Sequence, residues 1–169
     1  MTDTPLNNIL LASFIIVLMG CSQPRLPYSP QNLQPAESQE VIKAAKKQLG
    51  VSYNFGGASP SEGFDCSGLV FYSFQQIDIS LPRTTLGQLR HTTPVTRKNL
   101  EPGDLVFFRV YRSRVSHVGI YLGSNRFIHA PSTGKNVTIS RLDNPFWNKR
   151  YIRAGRILRT GQKYSPEYY

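Results

Sequence analysis

The chain has 169 residues, enough for one domain and a little more, because a single hydrophobic core serves roughly 100–200 residues. A hydrophobic content of 40% with nine Phe and nine Tyr excludes a disordered chain, and the scattered Gly and Pro exclude a coiled coil. Twenty Lys plus Arg against ten Asp plus Glu give a net charge of +10, so the expected partner is anionic; two cysteines, Cys21 and Cys66, allow at most one bridge and exclude a disulfide-stapled scaffold.

Ile9 to Met19 is an apolar stretch broken only by Ser13. It has the length of the core of an export signal and falls well short of the roughly 20 residues that span a bilayer. It ends in Leu18-Met19-Gly20-Cys21, which resembles the bacterial lipobox, where a cysteine after a small residue receives lipid and becomes the new N-terminus. Residues 1–20 are therefore expected to be a lipoprotein signal peptide and Cys21 the lipidated residue. The expected location is the periplasmic side of a bacterial envelope, with the lipid in the outer membrane, since Ser22 resembles the residue that permits such sorting. The next segment carries Pro24, Pro27, Pro30 and Pro35 without an apolar period, so residues 21–36 read as an extended tether.

From residue 37 to 158 the pattern is that of a folded domain. Val41, Ala44, Ala45, Gln48 and Leu49 recur at helical spacing, with Ser38 placed to cap the start and Gly50 to end the helix. Gly56-Gly57, Pro60 and Gly63 then require a loop, after which Asp65 caps a second helix beginning at Cys66. A short helical piece, TLGQLR, follows Pro82. A turn at Glu101-Pro102-Gly103-Asp104 leads into the β-prone segments LVFF, HVGIYL, RFIHA, VTIS and RAGRIL. Helices first and strands after predict an α+β fold with a mostly antiparallel sheet. Residues 159–169 read as a flexible tail.

A cysteine nucleophile needs its thiolate, and a free thiol is mostly protonated at neutral pH. Cys66 at a helix N-terminus faces unsatisfied backbone N–H groups and the positive end of the helix dipole, both of which favour the anion. A histidine must also take the proton and return it to a leaving amine. Of the three candidates, His91 lies in the polar stretch RHTTPVTRKN and reads as a surface residue. His117 and His129 flank Gly123-Ser124-Asn125. If those three residues form a hairpin loop, Gly119 pairs with His129, and both imidazoles share one face in diagonal positions roughly 7–8 Å apart. A two-residue loop would instead place them on opposite faces. A thiol and two imidazoles also suit catalytic zinc, but no close-spaced H-x-x-x-H pair is present, and neither a metal nor a cofactor is expected. Phe146, Trp147, Lys149, Arg150 and Tyr151 either line a groove or close the core.

FDCSGLV, SHVGIYLG and RFIHA, together with YNFGG, LPRTT, EPGDLVFF and the closing RAGRIL, resemble the NlpC family of cell-wall cysteine peptidases over nearly the whole domain. The resemblance implies a papain-like core in which the nucleophile's helix packs on an antiparallel sheet. Carried over by position, Cys66 is the nucleophile, His117 the general base and acid, and His129 the residue that orients His117. Tyr53 matches a tyrosine whose hydroxyl helps to stabilise the oxyanion with the Cys66 backbone N–H, and Asp65 and Ser67 match positions lining the substrate groove.

The implied substrate is the stem peptide of peptidoglycan, with its γ-D-glutamyl, diaminopimelyl and D-alanyl groups. Arg83, Arg109, Arg112 and Arg114 are available to meet their carboxylates bidentately. No run of five or more basic residues occurs, so nucleic acid is not an expected partner. The leading expectation is an endopeptidase working through a thioester acyl-enzyme. An inactive wall-binding lipoprotein and an amidase or acyltransferase on the same fold stay open.

Overall fold

The computed structural model describes residues 31–111 and 114–159. The expected signal peptide, Cys21, the first part of the tether, Arg112 and the tail from residue 160 lie outside the described residues. A two-residue strand β1 (Gln31–Asn32) opens the fold, followed by helix α1 (Pro35–Lys46). The helix starts three residues before the expected cap at Ser38. Its N-cap is Gln34, whose backbone N–H is met by the Glu37 carboxylate at 2.9 Å, and Pro35 supplies the preset φ of a first helical turn. Residues assigned by composition to the tether thus belong to the fold, because β1 pairs with β10 (Leu158–Arg159) at the far end of the domain.

The loop after α1 contains the short antiparallel pair β2 (Ala58–Ser59) and β3 (Gly63–Phe64). Helix α2 (Cys66–Gln75) begins as expected at Cys66, with the Asp65 carboxylate accepting from the Gly68 N–H at 2.7 Å. Helix α3 (Thr85–Arg90) is likewise capped, by Thr84. The polar stretch that follows holds an unforeseen strand, β4 (Thr93–Val95), which pairs with β9 (Tyr151–Arg156). It is the edge of the main sheet, the one location where Pro94 can lack a ladder N–H without cost. His91, just before it, is half-buried rather than on the surface.

Strands β5 (Leu105–Phe108), β6 (His117–Gly123), β7 (Arg126–His129) and β8 (Thr138–Arg141) complete an antiparallel sheet in the order β4-β9-β5-β6-β7-β8. Helix α4 (Pro145–Arg150) intervenes before β9. Its signal, Asn144 as cap with Pro145 at the first helical position, was readable but short. In β5 the period-2 alternation sends Leu105 and Phe107 into one apolar cluster with Val118, Ile120 and Ile128, against α1 and α2. Val106 and Phe108 go into a second cluster with Tyr121 and Phe127. Asp104, 2% exposed, accepts both Nε and Nη2 of Arg156 at 2.8 and 2.9 Å, which ties β9 to the turn that launches β5.

The β6–β7 hairpin resolves the register question by an unexpected route. The tight turn has two residues, Ser124 and Asn125, both at positive φ (51° and 58°), with Gly123 paired to Arg126. Leu122 is left over as a bulge. Beyond it Tyr121 pairs with Phe127 and Ile120 with Ile128, the register a three-residue loop would have produced. The bulged residue restores the parity that a two-residue turn alone would have reversed, and His117 and His129 share one face. Opposite His129, a Cβ on Gly119 would lie 2.6 Å from the Phe127 ring and 2.9 Å from the Ile128 carbonyl oxygen. Gly119→Ala is expected to cost about 1–3 kcal/mol of unfolding free energy, measured by urea titration, through overpacking of this hairpin.

Candidate active site

Cys66 occupies the first helical position of α2 and is partly buried. Its sulfur has the Thr85 hydroxyl at 3.7 Å and receives backbone N–H groups from Val118 and Ser67. Val118 directly follows His117, so the helix start and the β6 start meet at the thiol. Burial pushes the Cys66 thiol above its ordinary 9.0. The Thr85 hydroxyl opposes this, the Asp65 charge adds to it, and the two N–H groups oppose it. Burial therefore outweighs the favourable helix end and opposes the thiolate.

His117 and His129 are 2% and 1% exposed, with Nε2 of His117 2.8 Å from Nδ1 of His129. Nε2 of His129 lies 2.9 Å from the Ser140 hydroxyl on β8. The rings stand almost perpendicular, with centroids 5.0 Å apart. Trp147 of α4 covers both: its indole stacks on His117 at 5.2 Å and 26°, and meets His129 edge-on at 4.8 Å. The aromatic cluster of α4 thus closes the second core and roofs the histidine pair at once. Burial drives His117 down to about 3, against a smaller opposing pull from Asp65, and holds His129 well below 6.5, helped by the charges of His117 and Lys135.

A neutral His117 that is to accept a proton through Nδ1 must carry its own hydrogen on Nε2 and donate it to Nδ1 of His129. His129 then donates through Nε2 to Ser140, so the chain of hydrogen bonds selects one tautomer for each ring. Ser140 and Thr85 were not singled out in the sequence. Each stands inside a recognised segment, VTIS or LPRTT, but nothing local distinguishes it from its hydroxyl-bearing neighbours.

On the other side of Cys66, Asp65 is the hub of a polar cluster. Arg83 donates Nη1 to Asp65 Oδ1 at 2.8 Å and Nη2 to Oδ2 at 3.0 Å. It also donates to Ser67 Oγ at 3.1 Å and to the Gly57 carbonyl at 2.7 Å. Burial alone would raise the Asp65 carboxyl, but the Arg83 hydrogen bonds, the Gly68 N–H, the Arg83 charge and the Gly56 N–H hold it below its ordinary 3.8. Arg83 therefore gives its bidentate fork to an internal carboxylate and fixes the turn that presents Cys66. A side chain at Gly68 would collide with the Gly57 carbonyl oxygen, which accounts for the glycine two residues after the cysteine. Tyr53 stands by this cluster; burial, then the charges of Cys66 and Asp65, raise its hydroxyl above 10.0 and keep it a hydrogen-bond donor.

With this geometry in hand, comparison with known proteins gives a consistent answer. The NlpC/P60 family profile matches residues 50–156. The chain belongs to the NlpC/P60 family. It is 40% identical over 148 residues to the Escherichia coli K12 protein named "Probable endopeptidase NlpC", covering 84% of this chain and 94% of that one. It is also 40% identical over 137 residues to the murein DD-endopeptidase MepH of the same strain, covering 75% of this chain and 51% of MepH. Against several curated relatives, MepH among them, the chain spans about half of the relative's length. Among solved structures, a lipoprotein-like NLP/P60 protein from Staphylococcus aureus superposes with a TM-score of 0.71 at 36% identity, covering 80% of this chain and 46% of that one. The NlpC/p60 domain of the peptidoglycan hydrolase SagA gives 0.62 at 29% identity, covering 70% and 97%. The NlpC/P60 fold is papain-like, as the resemblance implied, and its helices and antiparallel sheet agree with the α+β reading.

The buried neutral imidazoles set a pH dependence. When unfolded they protonate near 6.5; when folded His117 resists until about 3, so in between the unfolded state binds more protons. Stability is thus complete above about pH 6.5 and declines as pH falls, by up to about 1.4 kcal/mol per pH unit for each such group. The thermal midpoint is expected to drop from pH 6.5 to 4.5, and His117→Phe is expected to flatten that slope in a circular dichroism series.

Proposed function

We propose that this NlpC/P60 chain is a peptidoglycan endopeptidase that hydrolyses a stem-peptide or cross-link amide through a thioester. What supports the reading is that Cys66, at a helix N-terminus, receives the backbone N–H of Val118, the residue after His117, while His117 is hydrogen-bonded to His129 and His129 to Ser140. The murein endopeptidases among the relatives supply the substrate class. His117 removes the thiol proton as sulfur attacks the carbonyl carbon. The carbonyl oxygen becomes an oxyanion, stabilised by the Cys66 backbone N–H, one of the unpaired donors of the first helical turn, and by the Tyr53 hydroxyl.

The positive charge on His117 is shared along its bond to His129, whose Nδ1 accepts. His117 then returns its proton to the amine nitrogen; the C–N bond breaks, the amine leaves and the acyl group stays on sulfur. Water, deprotonated by His117, attacks the thioester, and the C–S bond breaks to release a carboxylate and restore the thiol. Asp65, Ser67 and Arg83 act by holding the turn at which Cys66 sits. In the same reading Cys21 carries lipid and the domain works at the periplasmic face of the outer membrane. The Leu-Met-Gly-Cys motif supports this placement, and no described helix is long and apolar enough to cross a membrane.

Incubating purified peptidoglycan with the wild-type chain is expected to release peptide fragments whose masses identify one cleaved amide, while Cys66→Ala leaves the muropeptide profile at that of the untreated control. An identical profile for the two proteins would rule out the hydrolase. Ser140→Ala, which deprives His129 of its acceptor, is expected to lower kcat by about 10-fold or more with little change in KM, since it acts on His117 orientation and not on binding. Cys21→Ser is expected to move the protein from the membrane pellet to the soluble fraction on cell fractionation.

A further inference from the structure

A cavity of about 390 Å³ between α3, β9 and the segment before β6 is not used by the chemistry described above. It is lined by Leu86 and Leu89 of α3, Val115 on the approach to β6, Ile152 of β9, and two arginines, Arg109 and Arg114. Two of its lining residues adjoin the site along the chain. Thr85, whose hydroxyl touches the Cys66 sulfur, immediately precedes Leu86, and Val115 is two residues before His117.

Three observations mark it as a built site. Leu86 and Ile152 are large apolar side chains left 40% and 38% exposed, and both line this one cavity. Ile152 owes its direction to a bulge: Phe107 pairs with Arg153 and Phe108 with Tyr151, so Ile152 is the extra residue that the ladder cannot place. Bulges of this kind re-aim a side chain beside functional sites. Finally, Arg109 and Arg114 are exposed, and among the described residues neither has a carboxylate partner. No Asp or Glu lines the cavity. The other arginines near catalytic elements differ: Arg83 is spent on Asp65, and Arg153 donates Nη2 to the Leu89 carbonyl at 2.7 Å.

We propose that this cavity is a subsite for an aliphatic substrate side chain ending in a carboxylate, with the methylene stem on Leu86, Leu89 and Ile152 and the carboxylate between Arg109 and Arg114. An apolar lining alone would accept any aliphatic residue. Two arginines without a carboxylate partner in the same lining select those that end in an anion, because an Arg–carboxylate pair is charge-assisted and can be bidentate. The inference rests on the reading of the site as a peptide hydrolase and adds a preference to it: the enzyme discriminates by charge at one residue flanking the scissile bond.

The test uses two peptidoglycan dimers that differ only in whether the free side-chain carboxyl of diaminopimelate is a carboxylate or a carboxamide. For the full chain, kcat/KM is expected to favour the carboxylate form by about 10-fold, chiefly through KM, and to lose that preference progressively as salt is raised. In Arg109→Ala/Arg114→Ala the ratio is expected to fall to near one. Calorimetry with Cys66→Ala measures the same preference as binding, without turnover. Equal handling of the two dimers by the full chain, or a preference that survives in the double variant, overturns the subsite. A preference in Cys66→Ala binding together with no cleavage of either dimer by the wild-type chain would keep the subsite and overturn the hydrolase.

Discussion

The site depends on one hydrogen bond between two buried imidazoles. His117 and His129 come from adjacent strands, and neither has a neighbour in sequence that could orient it. They meet because the β6–β7 ladder holds them diagonally, with Gly119 between them kept free of a side chain. A slip of one residue would turn one ring into the opposite core and leave the other buried without a partner, a cost that falls on folding as well as on chemistry. The Leu122 bulge is therefore part of the site although its side chain takes no part in the reaction. It lets a tight two-residue turn, whose twist suits the strands, coexist with the parity that the histidines require.

Burial shapes the chemistry as much as contact does. The roof of Trp147 and the apolar cluster beneath it remove His117 and His129 from water, and a desolvated imidazole resists its proton. The same burial opposes a thiolate at Cys66, so the helix N-terminus, which on its own would favour the anion, is outweighed. The polar groups around the cysteine serve position: Arg83 joins the turn carboxylate of Asp65 to the Gly57 carbonyl and the Ser67 hydroxyl, and so fixes the first turn of α2 against the loop before it.

Much of this was legible locally. Asp65 as a cap, Cys66 as the first helical residue, the short helix after Pro82 and the five apolar strand segments all follow from capping chemistry and period-2 alternation, which act over a few residues. The start of α1 was misplaced because Gln34 is a weaker cap signal than Ser38, and only the pairing of Glu37 with the Gln34 N–H decides between them. The edge strand β4 was hidden by Pro94, since a proline reads as a breaker unless its place at a sheet edge is known. Arg83 read as a ligand for an outside carboxylate, but the carboxylate it meets is 18 residues earlier in the same chain.

What the sequence determined by itself was the inventory and its local geometry: a thiol at a helix start, two histidines on one hairpin, a turn that launches the sheet, and a surplus of positive charge. These are properties of short segments, where backbone preference and side-chain hydrogen bonding leave few alternatives. Tertiary structure alone decided which groups meet. Ser140 behind His129, Trp147 over both rings, Thr85 at the sulfur, and the cavity lined by Arg109 and Arg114 each join residues far apart in the chain. The reason is physical: such contacts are set by strand register and by the packing of helices on a sheet, and no segment carries that information until the core around it has closed.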